Sequence, residues 1–164
     1  LEVEDQIAAA KKLAERSYID KNNIGIWGWS YGGFMSTNCL LKGNDIFTTA
    51  IAVAPVTSWR FYDTVYTERY MQTPQENASG YDDNSPINYA DKLEGNYLLV
   101  HGTGDDNVHA QNSMRMINAM VAANKPFDIA MYPDRAHGIR KGENTRLHLY
   151  HKMTNFIAQH LIKK

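Results

Sequence analysis

A short apolar segment that ends in a Gly-x-Ser-x-Gly pattern constrains this chain more than any other feature. Residues 24–29 are all apolar or glycine, and Ser30 follows them with Gly28 and Gly32 two positions to either side. The pattern is typical of a nucleophile elbow, in which a serine sits on a strained strand-to-helix turn and larger flanking side chains would collide. Ser30 is therefore a candidate nucleophile for acyl transfer, with the Tyr31 backbone N–H as the first oxyanion donor.

The rest of the chain alternates between strand-like and helix-like segments. Periodic apolar residues predict helices at 1–16, 33–41, 110–123 and 145–162. Apolar runs that stop at proline, glycine or a turn predict strands at 24–29, 49–54, 97–101 and 127–132. Such alternation favours an α/β fold with a mostly parallel sheet flanked by helices, and the first strand is expected to be buried on both faces.

Composition limits the possible function classes. The chain has 164 residues, 43% of them hydrophobic, which is enough for one domain with a core. A net charge of −1 gives no electrostatic reason to expect nucleic acid or an anionic membrane as a partner. No apolar run reaches the length of a transmembrane helix.

No sequence pattern predicts a cofactor or a metal. The single cysteine, Cys39, excludes an internal disulfide and a cysteine-built metal site. His148 and His151 lie three residues apart on the last predicted helix without further clustered ligands, so a solvated helix face is favoured there. Gly102 and Gly104 follow a strand, but Asn107 stands where a dinucleotide fingerprint needs its third glycine.

One long segment, residues 56–93, interrupts the alternation and is rich in tyrosine. It leaves from the carboxyl end of a strand, where α/β proteins form their binding crevice, and segments of this length are usually functional. Trp59, Tyr62 and Tyr66 follow the strand end at helical spacing. For these three, a pocket wall and simple packing are equally open, whereas packing is favoured for the other aromatic residues.

The expected partners of Ser30 come later in the chain. In hydrolases of this architecture an acid and then a histidine follow the serine, each on a loop after a strand. The third predicted strand leads into Asp105 and Asp106, and the fourth leads into His137. Spacing alone does not separate the two acids. His101 and His109 are competing candidates for the base, although His101 ends a strand and His109 is expected to begin a helix.

Four separated motifs occur in a characteristic order: GWSYGG at 28–33, VAPVTSWRFYDTVYTERYM at 53–71, HGTGDDNVH at 101–109 and AHGI at 136–139. Together they resemble the catalytic domain of dipeptidyl peptidases in the prolyl oligopeptidase family of serine peptidases. The resemblance runs from residue 1 to the last helix and implies an α/β-hydrolase fold. It also implies that Ser30 is the nucleophile, Asp105 rather than Asp106 the acid, and His137 the base.

The same resemblance implies a substrate class. Peptides with proline or alanine as the second residue would lose an N-terminal dipeptide by acyl-enzyme hydrolysis, without a cofactor. The proline pocket would be lined by Val56, Trp59, Tyr62, Tyr66 and Val108, and Asn107 would hold a carbonyl near the scissile bond. Proline is compact, rigid and apolar, so an aromatic, uncharged pocket suits it.

Parts of such a peptidase are missing from these 164 residues. Members of the family also carry an upstream β-propeller and the first hydrolase strands, with a tyrosine as second oxyanion donor. We therefore expect a partial α/β-hydrolase domain over 1–164, the C-terminal part of a longer chain. Its first strand should be bare or covered by another molecule, and it should be inactive alone.

Several alternatives remain open from the sequence. A prolyl tripeptidyl or acylaminoacyl peptidase would carry the same motifs, and a non-catalytic scaffold or dimerisation fragment belongs to a different class. A generic esterase fits less well, because the aromatic pocket residues are typical of proline recognition. The resemblance further suggests an extracytoplasmic location.

The last predicted helix carries more apolar surface than one sheet can cover. One stripe contains Leu147, Tyr150, Thr154, Ile157 and Leu161, and Leu149, Met153 and Phe156 widen it. Together with the resemblance, this predicts a two-fold homodimer.

Overall fold

Four parallel strands form the centre of the computed structural model, which describes residues 1–162. They are β1 (Ile24–Trp29), β2 (Phe47–Val53), β3 (Asn96–Gly102) and β4 (Asp128–Tyr132). Each strand pairs in parallel with the next, so the spatial order is β1-β2-β3-β4. The predicted α/β fold with a mostly parallel sheet is confirmed.

Within the described residues, six α-helices accompany the sheet: α1 (Glu2–Leu13), α2 (Tyr31–Lys42), α3 (Thr64–Met71), α4 (Ala78–Asp82), α5 (Gln111–Ala122) and α6 (Thr145–His160). The four long helices lie at the positions predicted from periodicity. α1 is shorter than predicted, because residues 14–16 have already left the helix.

The tyrosine-rich segment folds into short helical turns rather than an open loop. Two 3₁₀ turns, Trp59–Phe61 and Pro86–Lys92, bracket α3 and α4. The Asp63 side chain caps α3 by accepting from the Tyr66 backbone N–H at 2.8 Å. The segment therefore holds its aromatic residues in defined positions beside the end of β2.

Helices cover both faces of the sheet. On one face, Ala50, Ala52 and Leu99 join a core cluster with residues of α1, α2 and α5. On the other face, Ile51, Val53, Leu98 and Val100 pack against α6. Strands β2 and β3 are consequently buried on both sides, as parallel strands usually are.

Strand β1 differs from that expectation. It pairs only with β2 among residues 1–162, and its residues are half-buried rather than buried. The indole of Trp27 is 53% exposed. The prediction of burial on both faces does not hold for the described part of the chain, because β1 lies at the edge of the sheet there.

Helix α6 presents two different apolar faces. Leu149, Met153 and Phe156 are buried against the sheet. Leu147 and Tyr150 point away from it and are 54% and 42% exposed. The core therefore accounts for only part of the apolar surface of this helix.

No helix in residues 1–162 combines the length and apolarity needed to cross a membrane.

Candidate active site

Ser30 occupies the sharp junction between β1 and α2. Its backbone angles are φ 61° and ψ −118°, a strained combination for a residue with a side chain. The Ser30 N–H donates to the Val53 carbonyl of the neighbouring strand at 2.8 Å, which fixes the turn to the sheet. Tyr31 is the first residue of α2, so its N–H has no partner within the helix.

Two glycines make this turn possible, but only one of them is a glycine of the motif. A Cβ on Gly28 would lie 2.1 Å from the Gly32 carbonyl oxygen, so only glycine fits there. A Cβ on Gly32 would meet nothing within 4 Å in the described part of the chain, so the predicted collision at Gly32 is wrong for that part. Gly33 is the second constrained position, because its Cβ would lie 2.9 Å from the Pro55 side chain.

The loops after β3 and β4 bring Asp105 and His137 together. The Asp105 Oδ2 atom lies 2.7 Å from His137 Nδ1, and Oδ1 accepts the N–H groups of Asn107 and Val108, each at 3.0 Å. The Asp105 side chain has no exposed surface, whereas that of His137 is 25% exposed. Asp106 is exposed, and within residues 1–162 no hydrogen bond or ion pair joins it to His137, so the geometry separates the two acids that spacing could not.

The environment of Asp105 keeps its carboxyl ionised. Burial acts to raise the pKa of Asp105, but the imidazoles of His101 and His137 and the Asn107 N–H outweigh it and hold the pKa below its usual range. At neutral pH the carboxylate therefore accepts a hydrogen bond from His137 Nδ1. This fixes the histidine in the tautomer with Nε2 free to accept a proton.

The serine and the histidine are not yet hydrogen-bonded to each other. Among residues 1–162, no hydrogen bond joins Ser30 to His137. Such contacts are often long in free enzymes and shorten when substrate binds. Trp29, directly before Ser30, donates its Nε1–H to the His137 carbonyl at 3.0 Å and thereby ties the histidine loop to the end of β1.

An aromatic cavity of about 340 Å³ is bordered by Tyr31, the residue that follows Ser30. Its walls are formed by Glu2, Tyr31, Phe34, Trp59, Tyr66, Thr67, Tyr70, Met71 and Asn84. The Trp59 ring lies 5.7 Å from that of Tyr31 and stacks on that of Tyr66 at 6.1 Å, measured between centroids. The size and lining are those of a site for a small apolar group.

The other predicted pocket residues take different positions. The Tyr62 hydroxyl donates to Asn107 Oδ1 at 2.9 Å, and both residues border a polar cleft. The Asn107 Nδ2 amide has no hydrogen-bond partner among residues 1–162 and is available to donate. Val56 and Val108 are almost fully buried in a cluster with Trp59. They therefore lie behind the aromatic walls of the cavity in the described part of the chain.

Comparison with known proteins identifies the family. The sequence profile of the prolyl oligopeptidase family matches residues 1–164. The chain belongs to the prolyl oligopeptidase family. A crystal structure of Porphyromonas gingivalis dipeptidyl peptidase 4 is 53% identical, superposes with a TM-score of 0.95, and aligns over 98% of this chain and 23% of its own.

Curated members of the prolyl oligopeptidase family are similar at the sequence level. A protein named "Probable dipeptidyl-aminopeptidase B" from Aspergillus terreus is 48% identical over 96% of this chain and 17% of its own length. Dipeptidyl peptidase 4 of Felis catus is 45% identical over 96% of this chain and 21% of its own. The chain thus spans about a fifth of the length of the relatives it matches.

Three residues near Ser30, Asp105 and His137 occupy positions that the sequence did not predict. His101, considered as a base, is fully buried and contacts Asp105 instead. Arg146 donates to the Gly138 carbonyl at 2.9 Å and lies over the Trp29 ring, and no sequence signal marks Arg146. His109 lies beside Asn107 in the polar cleft.

Among residues 1–162, no group of three His, Cys, Asp or Glu side chains could hold a metal ion.

Proposed function

We propose that the complete protein containing this chain is a serine peptidase that removes N-terminal dipeptides with proline or alanine in the second position. The observation that carries this proposal is the 2.7 Å contact between His137 Nδ1 and Asp105 Oδ2 beside a strained elbow serine. The three family members compared above are named dipeptidyl-aminopeptidase or dipeptidyl peptidase, and these names support the reaction type.

In the proposed reaction, His137 Nε2 takes the Ser30 hydroxyl proton while Ser30 Oγ attacks the carbonyl carbon of the scissile bond. Asp105 keeps the imidazole oriented and stabilises the imidazolium. The Tyr31 N–H would donate to the oxyanion. His137 then gives its proton to the leaving amine, and a water molecule hydrolyses the acyl-enzyme by the same acid–base steps.

Specificity in this proposal comes from the aromatic cavity. A proline ring would lie against the faces of Tyr31, Trp59 and Tyr66, where a rigid ring loses little entropy on binding. The free Nδ2 amide of Asn107 would donate to a carbonyl of the substrate near the scissile bond. No charged residue of the described part except Glu2 borders this cavity, which suits an uncharged side chain.

Purified parent protein, assayed on matched chromogenic substrates, tests the proposal. We expect Gly-Pro substrates to be cleaved faster than Gly-Leu substrates, and Ala-Ala-Pro or N-acetylated substrates to be cleaved poorly. Ser30→Ala is the control for contaminating peptidases and should be inactive. Preference for Ala-Ala-Pro would make the protein a tripeptidyl peptidase, and preference for the acetylated substrate an acylaminoacyl peptidase. Absence of Ser30-dependent cleavage would overturn the peptidase proposal itself.

A further inference from the structure

Two imidazoles meet at one oxygen of the Asp105 carboxylate. His137 Nδ1 lies 2.7 Å from Oδ2, and His101 Nε2 lies 3.2 Å from the same atom. The His101 side chain has no exposed surface, whereas that of His137 is 25% exposed. His101 therefore reaches the carboxylate from the protein interior and has no access to a substrate.

The contacts of His101 define its tautomer. Nε2 faces two acceptors, the Val108 carbonyl at 2.8 Å and Asp105 Oδ2, so this nitrogen carries a proton. Nδ1 lies 2.6 Å from the Ser113 hydroxyl of α5, which is fully buried. In the neutral ring, Nδ1 accepts from that hydroxyl. Ser113 thus fixes both the orientation of the ring and the position of its proton.

We propose that His101, held by Ser113, is a positioning residue that keeps the Asp105 carboxylate in the one orientation that presents Oδ2 to His137. The proposal rests on the proposed function, because it concerns the same acid and base. On the far side of the carboxylate, the N–H groups of Asn107 and Val108 already hold Oδ1. His101 adds a 3.2 Å contact from Nε2 to Oδ2, and its hydrogen bond to the Val108 carbonyl holds the same residue whose N–H donates to Oδ1. The carboxylate is thus held from both sides in a place that water does not reach.

The His101 N–H also has an electrostatic effect on the pair. It attracts part of the negative charge on Oδ2, which would otherwise stabilise the His137 imidazolium. The Asp105 charge also interacts with the Tyr62 hydroxyl. Removing the His101 donor should therefore make protonated His137 more stable and move the acid limb of the rate profile to higher pH.

Substitutions in the complete parent protein test the proposal. His101→Leu removes the donor and is expected to lower kcat and kcat/KM together by roughly 10- to 100-fold, with KM unchanged. His101→Gln places an amide N–H near the same point and should keep kcat within about threefold of the wild type. The acid limb of kcat/KM should shift upward in His101→Leu and much less in His101→Gln.

Ser113→Ala keeps the test decisive if His101→Leu does not fold. This variant loses one buried hydroxyl and should lower kcat by about threefold to tenfold, the scale of one hydrogen bond. Tyr97→Phe is its matched control, because it removes a buried hydroxyl that bonds Thr37 of α2 at 2.9 Å. Tyr97 lies on β3, the strand that also carries His101. It should leave kcat within about twofold, even if it lowers the melting temperature.

Rates per active site, counted by fluorophosphonate titration, separate positioning from folding. Wild-type kcat and pH profile in Ser113→Ala, or equal losses in His101→Leu and His101→Gln, would overturn the role of His101. A purely structural role would lower the melting temperature and leave the rate per active site unchanged. These failures leave the wild type with Ser30-dependent cleavage of Gly-Pro substrates, whereas failure of the proposed function removes that cleavage or its preference, so the two are distinguishable.

Discussion

Gly28 is the single residue on which the serine turn depends most directly. In Gly28→Ala the new Cβ would lie 2.1 Å from the Gly32 carbonyl oxygen, a rigid backbone atom. We expect the rate per mole of parent protein to fall by roughly 10²-fold, because Ser30 would be displaced. Gly25→Ala on the same strand is the control, since its closest contact is the flexible end of Leu161. Equal activities of the two variants would contradict the steric explanation.

Asp105→Asn tests the acid without changing its shape. Its amide would turn an N–H toward His137 Nδ1 and favour the wrong tautomer, so kcat should fall by roughly 10⁴. The pKa of Asp105 is lowered in the folded protein, so its contribution to stability is present above about pH 4 and is lost as the pH falls.

Denaturant unfolding of both proteins from pH 7 to pH 2 measures this contribution. The difference in unfolding free energy between wild type and Asp105→Asn should be largest near neutrality and shrink below about pH 4. A difference that stays constant across this range would mean that the carboxylate is not stabilised by its donors.

At the level of helices and strands, the features that depend on local residue patterns could be predicted from the sequence. Apolar runs and turn residues located β1 to β4, and the elbow motif located Ser30. Two features of the site depend instead on long-range packing. Asp105 is buried whereas Asp106 is not, and His101 is buried in contact with Ser113. The burial of Val56 and Val108 behind the aromatic rings also depends on how the tyrosine-rich segment folds.

Helix α3 contributes the Tyr66 side chain to the cavity wall, and a single substitution can remove it. Tyr66 stacks on Trp59 and borders the cavity, so Tyr66→Ala should lower kcat/KM for Gly-Pro substrates by at least about tenfold in the parent protein. Tyr18→Ala is the control, since that ring is 80% exposed and outside the cavity. Unchanged preference for proline over leucine in Tyr66→Ala would remove α3 from the substrate pocket.

For the whole molecule, the outward face of α6 leads to the prediction of a two-fold homodimer. Leu147 and Tyr150 stay exposed there while the opposite face is buried. Light scattering of the parent protein at micromolar concentration should give twice the chain mass. Leu147→Asp should shift the population toward monomer, and Val65→Asp, at a residue that is 83% exposed on α3, should not. A wild-type monomer would contradict the prediction.

Labelling by a fluorophosphonate probe is the most direct test that Ser30, Asp105 and His137 act as one catalytic unit. Mass spectrometry of the labelled parent protein should find the probe on Ser30 and on no other residue. Labelling should disappear in Ser30→Ala, and turnover should fall by roughly 10⁴ or more in both Ser30→Ala and His137→Ala. A label on another serine, or near-normal turnover in either variant, would contradict the assignment of the active site.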